Sequence, residues 1–163
     1  MLHTGDLIFV RGQLSSLVDD AIQTGEWLLD HRGQYVHVAV YVGGNTIMEA
    51  QGFRRSGRAN IGDYAEYYDI GHIKMTDDQR DRFLAALHDE DNLPYDWPGI
   101  WWLIVYILTC RRIGGQYRER RRRYCSKYVG WALRQAGIIV NDRTPQDLAD
   151  SSPTISIEKV GAV

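Results

Sequence analysis

The strongest constraint on how this chain folds is a run of alternating residues that leads into a glycine-rich turn. Over residues 35–42 every second position is valine, which predicts a β-strand with one valine face. The opposite face carries Tyr35, His37, Ala39 and Tyr41. The Gly-Gly-Asn segment at 43–45 predicts a hairpin loop, and residues 46–50 predict the returning strand.

This hairpin brings two polar side chains near each other. With a three-residue loop, Ala39 faces Glu49 directly, and His37 is the diagonal neighbour of Glu49 on the same face of the sheet. The sequence therefore predicts an imidazole close to a carboxylate.

A cysteine at the predicted start of a helix is the second informative feature. The residues after Cys125 follow the spacing of one buried helix face and end at a capping glycine: Val129, Ala132, Leu133, Ala136 and Gly137. The positive end of a helix dipole favours a thiolate over a thiol, so Cys125 has the position of a nucleophile. A buried cysteine that only fills the core is the alternative.

The remaining patterns predict short strands mixed with helices, and hence an α+β fold. Strands are expected at 6–10, 69–74 and 154–160, and a loop at 51–61. Helices are expected at 15–29, at 76–88 with a capping box from Thr76 to Gln79, and for one turn after Thr144.

Length and composition predict a single domain over residues 1–163, in which 44% of residues are hydrophobic. No basic segment followed by a long apolar run is seen at the start, so a cytoplasmic or membrane-peripheral location is expected. Two cysteines imply no disulfide framework, although a Cys110–Cys125 bridge stays open. The net charge of −2 predicts no nucleic-acid partner.

An aromatic and arginine-rich segment at about 98–123 stands out from the rest of the chain. Its apolar part, residues 100–108, is shorter than the roughly 20 residues of a membrane span. Residues 111–123 contain seven arginines and one glutamate. A core helix followed by a solvated basic loop explains this composition. Contact with an anionic membrane surface through Trp101, Trp102 and Arg120–Arg123 is the other interpretation.

Cys125, His37 and Glu49 supply the three side chains that a thiol hydrolase needs. A thiolate attacks a carbonyl carbon, an imidazole with an ordinary pKa near 6.5 transfers the proton, and a carboxylate orients the imidazole. This chemistry requires no cofactor. The same three side chains are also zinc ligands, although no short paired-ligand spacing supports a metal site.

The order of these motifs resembles that of a known superfamily. The chain is similar to the NlpC-type branch of papain-like proteins in its circularly permuted form, which includes YiiX-like and lecithin:retinol acyltransferase-like proteins. The matching segments span most of the chain and are Gly5-Asp6-Leu7-Ile8-Phe9, His37-Val38-Ala39-Val40-Tyr41-Val42-Gly43, Met48-Glu49-Ala50, Pro94-Tyr95-Asp96, Tyr124-Cys125-Ser126-Lys127-Tyr128-Val129 and Thr144-Pro145-Gln146-Asp147-Leu148.

The resemblance implies a permuted papain-like fold, in which an antiparallel sheet or small barrel packs on the helix that begins at Cys125. It implies a Cys125, His37 and Glu49 triad that cleaves an amide or ester in a cell-wall peptide or a lipid acyl substrate. Tyr95 matches the family's Tyr-Asp segment and either lines the cleft or pins a turn. The insertion at 98–123 departs from the family pattern and leaves the substrate open. A non-catalytic module that binds a lipid or an anionic partner is the alternative function, and the oligomeric state stays open.

Overall fold

The structure is an α+β fold built on a six-stranded antiparallel sheet. The computed structural model describes residues 1–12, 34–51, 55–65, 67–94, 96, 98 and 123–160. The strands are β1 (Leu7–Arg11), β2 (Tyr35–Gly43), β3 (Thr46–Glu49), β4 (Gly57–Asn60), β5 (Tyr68–Ile73) and β6 (Ile155–Glu158). Their order is β4-β3-β2-β1-β5-β6, and the sheet is open rather than closed into a barrel.

The register of the β2–β3 hairpin agrees with the prediction, although the loop is built differently. Val40 pairs with Met48, so the next position of the ladder sets Ala39 opposite Glu49. The loop contains only residues 44 and 45, and the extra residue is a bulge at position 42. Gly43, with φ of 112°, permits this path. The bulge preserves the register that a three-residue loop gives.

A second bulge changes the face on which Tyr35 lies. Val10 pairs with His37 and Arg11 with Tyr35, so position 36 is the extra residue in β2. Tyr35 consequently joins the main core, where its ring centroid is 5.1 Å from that of Phe9. The simple alternation predicts Tyr35 on the His37 face, and this prediction is wrong.

Residues 57–60 correct the predicted loop at 51–61. Gly57–Asn60 forms an edge strand that pairs antiparallel with β3. Its sequence, Gly-Arg-Ala-Asn, lacks the β-branched and aromatic residues typical of strands, so main-chain pairing with β3 decides its structure. The Asn60 side chain then accepts a hydrogen bond from Gly62 N at 2.8 Å and caps a 3₁₀ helix at Ile61–Tyr64.

In the described part of the chain three helices cover one side of the sheet, namely α1 (Asp77–Asp89), α2 (Cys125–Gln135) and α3 (Pro145–Ala149). The predicted capping box is confirmed, because Gln79 N donates to Thr76 Oγ1 and Thr76 N donates to Gln79 Oε1. The predicted start of α3 is also confirmed, since Thr144 accepts a hydrogen bond from Asp147 N at 3.0 Å. None of the helices in the described part of the chain is long and apolar enough to cross a membrane.

Helix α2 begins and ends where the sequence predicts. Cys125 is its first residue, and Gly137 follows its C-cap with φ of 78°. Gly137 N donates to Arg134 O at 3.0 Å and Ile138 N donates to Leu133 O at 2.9 Å. These two bonds are those of a Schellman motif, which satisfies carbonyls at the helix end.

The core has two parts, one on each face of the sheet. The larger part joins strand residues such as Phe9 and Val38 to the buried faces of α1, α2 and α3. The smaller part consists of Ile8, Ala39 and Ile47. Several predictions lie outside the described residues: the helix at 15–29, Tyr95, Cys110, and the 98–123 segment apart from Pro98 and Arg123.

Candidate active site

The three side chains expected to act together are close neighbours in the structure. His37 comes from β2, Glu49 is the last residue of β3, and Cys125 is the first residue of α2. His37 Nε2 lies 2.8 Å from Glu49 Oε2, and the His37 ring also forms a hydrogen bond with Cys125. Because Glu49 lies at Nε2, we infer that Nδ1 is the ring nitrogen that faces the Cys125 sulfur.

This arrangement differs from a metal site formed by the same residues. The imidazole lies between the thiol and the carboxylate, with one nitrogen for each, whereas metal ligands converge on one point. His37 therefore connects Cys125 to Glu49 through two hydrogen bonds. Cys125 is not part of a disulfide.

All three groups are removed from water. Cys125 is 0% exposed, His37 is 6% exposed and Glu49 is 4% exposed. Electrostatic interactions among them act in a medium of lower effective dielectric constant than water, so each charge depends strongly on its partners.

The protonation of His37 follows from two opposing effects. Burial lowers the pKa of His37, because a charged imidazole loses its hydration. The hydrogen bonds and charges of Cys125 and Glu49 act in the opposite direction and are stronger together, so the pKa lies well above its ordinary value of 6.5. The site therefore favours an imidazolium between its two partners.

Tyr64 belongs to the site, although the sequence analysis missed it. Its hydroxyl donates a hydrogen bond of 2.5 Å to Glu49 Oε2, the oxygen that also faces His37. Its ring centroid lies 5.6 Å from that of His37. Burial and the neighbouring Glu49 charge raise the pKa of the Tyr64 hydroxyl, so it stays a donor at neutral pH. Asn60 and Gly62 mark a turn in the sequence, but nothing there indicates that Tyr64 reaches Glu49.

The start of α2 is held in place by Asp142. Ser126 Oγ donates to the Asp142 main-chain oxygen at 3.0 Å, and Lys127 Nζ lies 2.7 Å from Asp142 Oδ1. Gly130 allows this contact, because a Cβ atom at position 130 would lie only 2.2 Å from the Asp142 Cβ. These contacts fix the helix on which the sulfur is carried. The first turn of α2 contains no acidic side chain, so the positive end of the helix faces the sulfur without a competing carboxylate in that turn.

Arg123 is the one described residue of the arginine-rich cluster. Its guanidinium lies 3.0 Å from Glu90 Oε1 and stacks 5.5 Å from the ring centroid of Trp131. This pairing ties the residue before the N-cap of α2 to the end of α1. Tyr95, Trp101, Trp102 and the arginines at 120–122 lie outside the described residues.

Comparison of the sequence with protein-family models and with curated proteins finds no match. The site therefore has to be interpreted from its own geometry.

Proposed function

We propose that this protein is a cysteine-dependent hydrolase or acyltransferase that cleaves an amide or ester bond through a thioester intermediate. The observation that carries the proposal is a buried hydrogen-bonded series of side chains. The His37 imidazole forms one hydrogen bond with Cys125 and another with Glu49. A core-filling cysteine has no need of a charged partner, and burying such a partner is unfavourable unless it is paired.

In the first half of the reaction, the Cys125 thiolate attacks the acyl carbon and forms a carbon–sulfur bond. Main-chain N–H groups at the start of α2 stabilise the developing oxyanion. His37 gives its proton to the leaving nitrogen or oxygen as that bond breaks, which yields a thioester and a neutral imidazole.

In the second half, neutral His37 takes a proton from water or from an acceptor alcohol or amine, which then attacks the thioester. The carbon–sulfur bond breaks and the thiolate returns beside the imidazolium. Glu49 holds the ring in one orientation through Nε2, and Tyr64 holds Glu49. Tyr64 is thus a positioning residue.

The fold that we propose for this chemistry is the permuted papain-like one. The α+β architecture, the sheet packed on the cysteine helix and the order of His37 before Cys125 support it. We propose peptides of the cell-wall type and lipid acyl groups as the substrate classes.

The proposal is tested by trapping the acyl-enzyme. The full chain is mixed with p-nitrophenyl butyrate and quenched in acid before the thioester is hydrolysed, and intact-mass spectrometry followed by peptide mapping locates the acyl group. We expect one butyryl group on Cys125, its loss in Cys125→Ala, and its retention in Cys110→Ala, the matched control. An adduct on Cys110, or equal labelling of the native and urea-unfolded chains, contradicts the proposal. Peptide amides and phospholipids then serve as competing substrates that separate the two classes.

A non-catalytic module that binds a lipid or an anionic partner is the second candidate, and the burial of the thiol favours it. Cys125 has no exposed surface, as expected of a cysteine that never meets a substrate. Flotation with anionic phosphatidylserine vesicles over a salt series tests this candidate. Salt-sensitive binding together with an unreactive Cys125 supports it, whereas an acylated Cys125 excludes it.

A further inference from the structure

A second cluster of titratable side chains lies away from the candidate active site. It is formed by His3 and Asp6, which precede β1, and by His72 on β5. Asp6 Oδ2 lies 3.2 Å from His72 Nδ1 and 3.6 Å from His3 Nδ1, and the three ligating atoms are all within 4.8 Å of one another. Nothing in the proposed hydrolase chemistry uses these residues.

The spacing of these atoms matches that of ligands around a small metal ion. Bonds of about 2.0–2.1 Å in a tetrahedral site imply ligand atoms roughly 3.3 Å apart. The two distances to Asp6 Oδ2, 3.2 Å and 3.6 Å, are close to this value, and the remaining pair of ligand atoms, from His3 and His72, lies within 4.8 Å. Two imidazoles and one carboxylate suit first-row transition metals such as Zn²⁺, whereas Ca²⁺ and Mg²⁺ prefer oxygen ligands.

Glu158 forms an ion pair with the outer nitrogen of the His72 ring. Its Oε2 lies 2.7 Å from His72 Nε2, the ring nitrogen that points away from the other cluster members. The carboxylate at the outer nitrogen orients the ring so that Nδ1 faces the point where His3 and Asp6 converge, and an ion that binds there displaces the Nδ1 proton shared with Asp6 in the metal-free chain. Histidines that bind metals are generally oriented in this way.

The surroundings of the cluster allow an ion to enter. Asp6 is buried, and its Oδ2 accepts a hydrogen bond of 2.7 Å from His3 N, which fixes the carboxylate. The His72 side chain is 32% exposed and that of His3 is 65% exposed, so one side of the cluster is open to solvent. Asp6 is therefore the fixed, buried ligand, and His3 is the exposed ligand that can adjust its position.

We propose that His3, Asp6 and His72 bind a divalent first-row transition-metal ion such as Zn²⁺, with Glu158 orienting His72. The ion joins the segment before β1 to β5, and Glu158 extends the connection to β6. Its role is to stabilise this end of the sheet, because an ion that binds the folded chain shifts the folding equilibrium towards it.

The test measures Zn²⁺ binding to the full chain by isothermal titration calorimetry. A background that carries both Cys110→Ala and Cys125→Ala removes the two thiols of the chain as competing ligands. We expect one Zn²⁺ per chain, a higher melting temperature with Zn²⁺, and at least a tenfold loss of affinity in His3→Ala and in His72→Ala. Glu158→Ala acts through His72 and lowers the affinity by about 10–100-fold. His88→Ala, at an exposed histidine of α1, is the matched control and keeps the parent affinity.

Co²⁺ in place of Zn²⁺ provides a readout that does not depend on stability. Visible absorption bands typical of four-coordinate Co²⁺ are expected in the parent and absent in His3→Ala. Because the His3 side chain is largely exposed, this variant folds, and circular dichroism verifies that it does. Absence of Zn²⁺ binding at micromolar concentration, or equal affinity in His3→Ala and the parent, overturns the proposal.

Discussion

His37 and His72 have the same bonding pattern in two different environments. Each imidazole lies between two partners, Cys125 and Glu49 for His37, and Asp6 and Glu158 for His72. His37 is buried, whereas the His72 side chain is about one-third exposed. The same ring thus lies buried between a thiol and a carboxylate in one place, and between two carboxylates near the surface in the other.

The difference lies in what sets the charge of each ring. For His37 the largest effect is burial, which lowers the pKa, and only its two partners raise it above 6.5. For His72 the largest effect is the hydrogen bond that its ring donates to Glu158, which raises the pKa of His72, while burial lowers it by less. The positive charge of buried His37 is thus stabilised by its two partners alone, whereas water also stabilises the charge of the partly exposed His72.

The largest effect is expected from replacing the buried His37, and it concerns the rate of Cys125 acylation. His37→Gln should lower the rate of Cys125 acylation by about 10²–10⁴-fold, because the proton donor and acceptor is lost. The rate is measured by stopped-flow release of p-nitrophenol, with His88→Gln as the control. A loss smaller than threefold means that Cys125 reacts without His37.

Gly130→Ala tests whether the buried site depends on the position of α2. A Cβ atom at position 130 meets Asp142 at 2.2 Å, so we expect the free energy of unfolding to fall by about 1–3 kcal/mol. Urea unfolding measures this change. Zinc affinity at His3, Asp6 and His72 should stay unchanged, since none of these residues lies on α2. An unchanged unfolding midpoint shows that Asp142 can move away from the new Cβ atom without loss of stability.

Tyr64→Phe removes one hydrogen bond from the buried carboxylate. We expect an acylation rate about tenfold lower and a loss of about 1–3 kcal/mol of stability, because a buried Glu49 oxygen loses a donor. Tyr67→Phe is the matched control, since Tyr67 is 54% exposed. A positioning role also predicts an altered pH dependence of the acylation rate. Equal rates and pH profiles in the two variants contradict this role.

A smaller effect concerns the pKa of His37 itself, measured by nuclear magnetic resonance. Burial lowers this pKa, so replacing a partner that raises it, as in Glu49→Gln, should bring it down. The wild-type pKa in the folded chain lies above the unfolded value of about 6.5. The stability that His37 contributes is therefore fully present below about pH 6.5 and is lost as the pH rises through the folded-state pKa.

The same linkage predicts how stability differs between wild type and His37→Gln. The difference in unfolding free energy should shrink as the pH rises from about 6.5 through the folded-state pKa. Urea titrations at a series of pH values measure it. A difference that grows with pH shows that the neutral ring is favoured in the folded chain.

The sequence was a good guide where structure is local. The capping box at Thr76 depends on residues three positions apart, and the end of α2 depends on a glycine that adopts positive φ. The hairpin register follows from alternation and a short turn, so the closeness of His37 to Glu49 is confirmed. The bulges at 36 and 42 were not predictable, because they arise from pairing with β1 and β3.

Contacts between separate segments of the chain could not be predicted from local sequence patterns. Gly57–Asn60 forms a strand because β3 offers unpaired main-chain groups, and its own side chains favour no strand. Tyr64 reaches Glu49 only after that strand is formed and the 3₁₀ helix turns behind it. His3, Asp6, His72 and Glu158 are separated by up to 155 positions and meet only because β5 lies between β1 and β6.

The sequence by itself determined the α+β composition, the helix that begins at Cys125, and the hairpin that carries His37 and Glu49, since these follow from periodicity and capping within short stretches. Only the tertiary structure decided that Cys125 meets His37, that Tyr64 supports Glu49, and that a second histidine lies among carboxylates near the surface. The physical reason is that sheet order and burial are set by packing of distant segments, and burial then determines what each side chain can do.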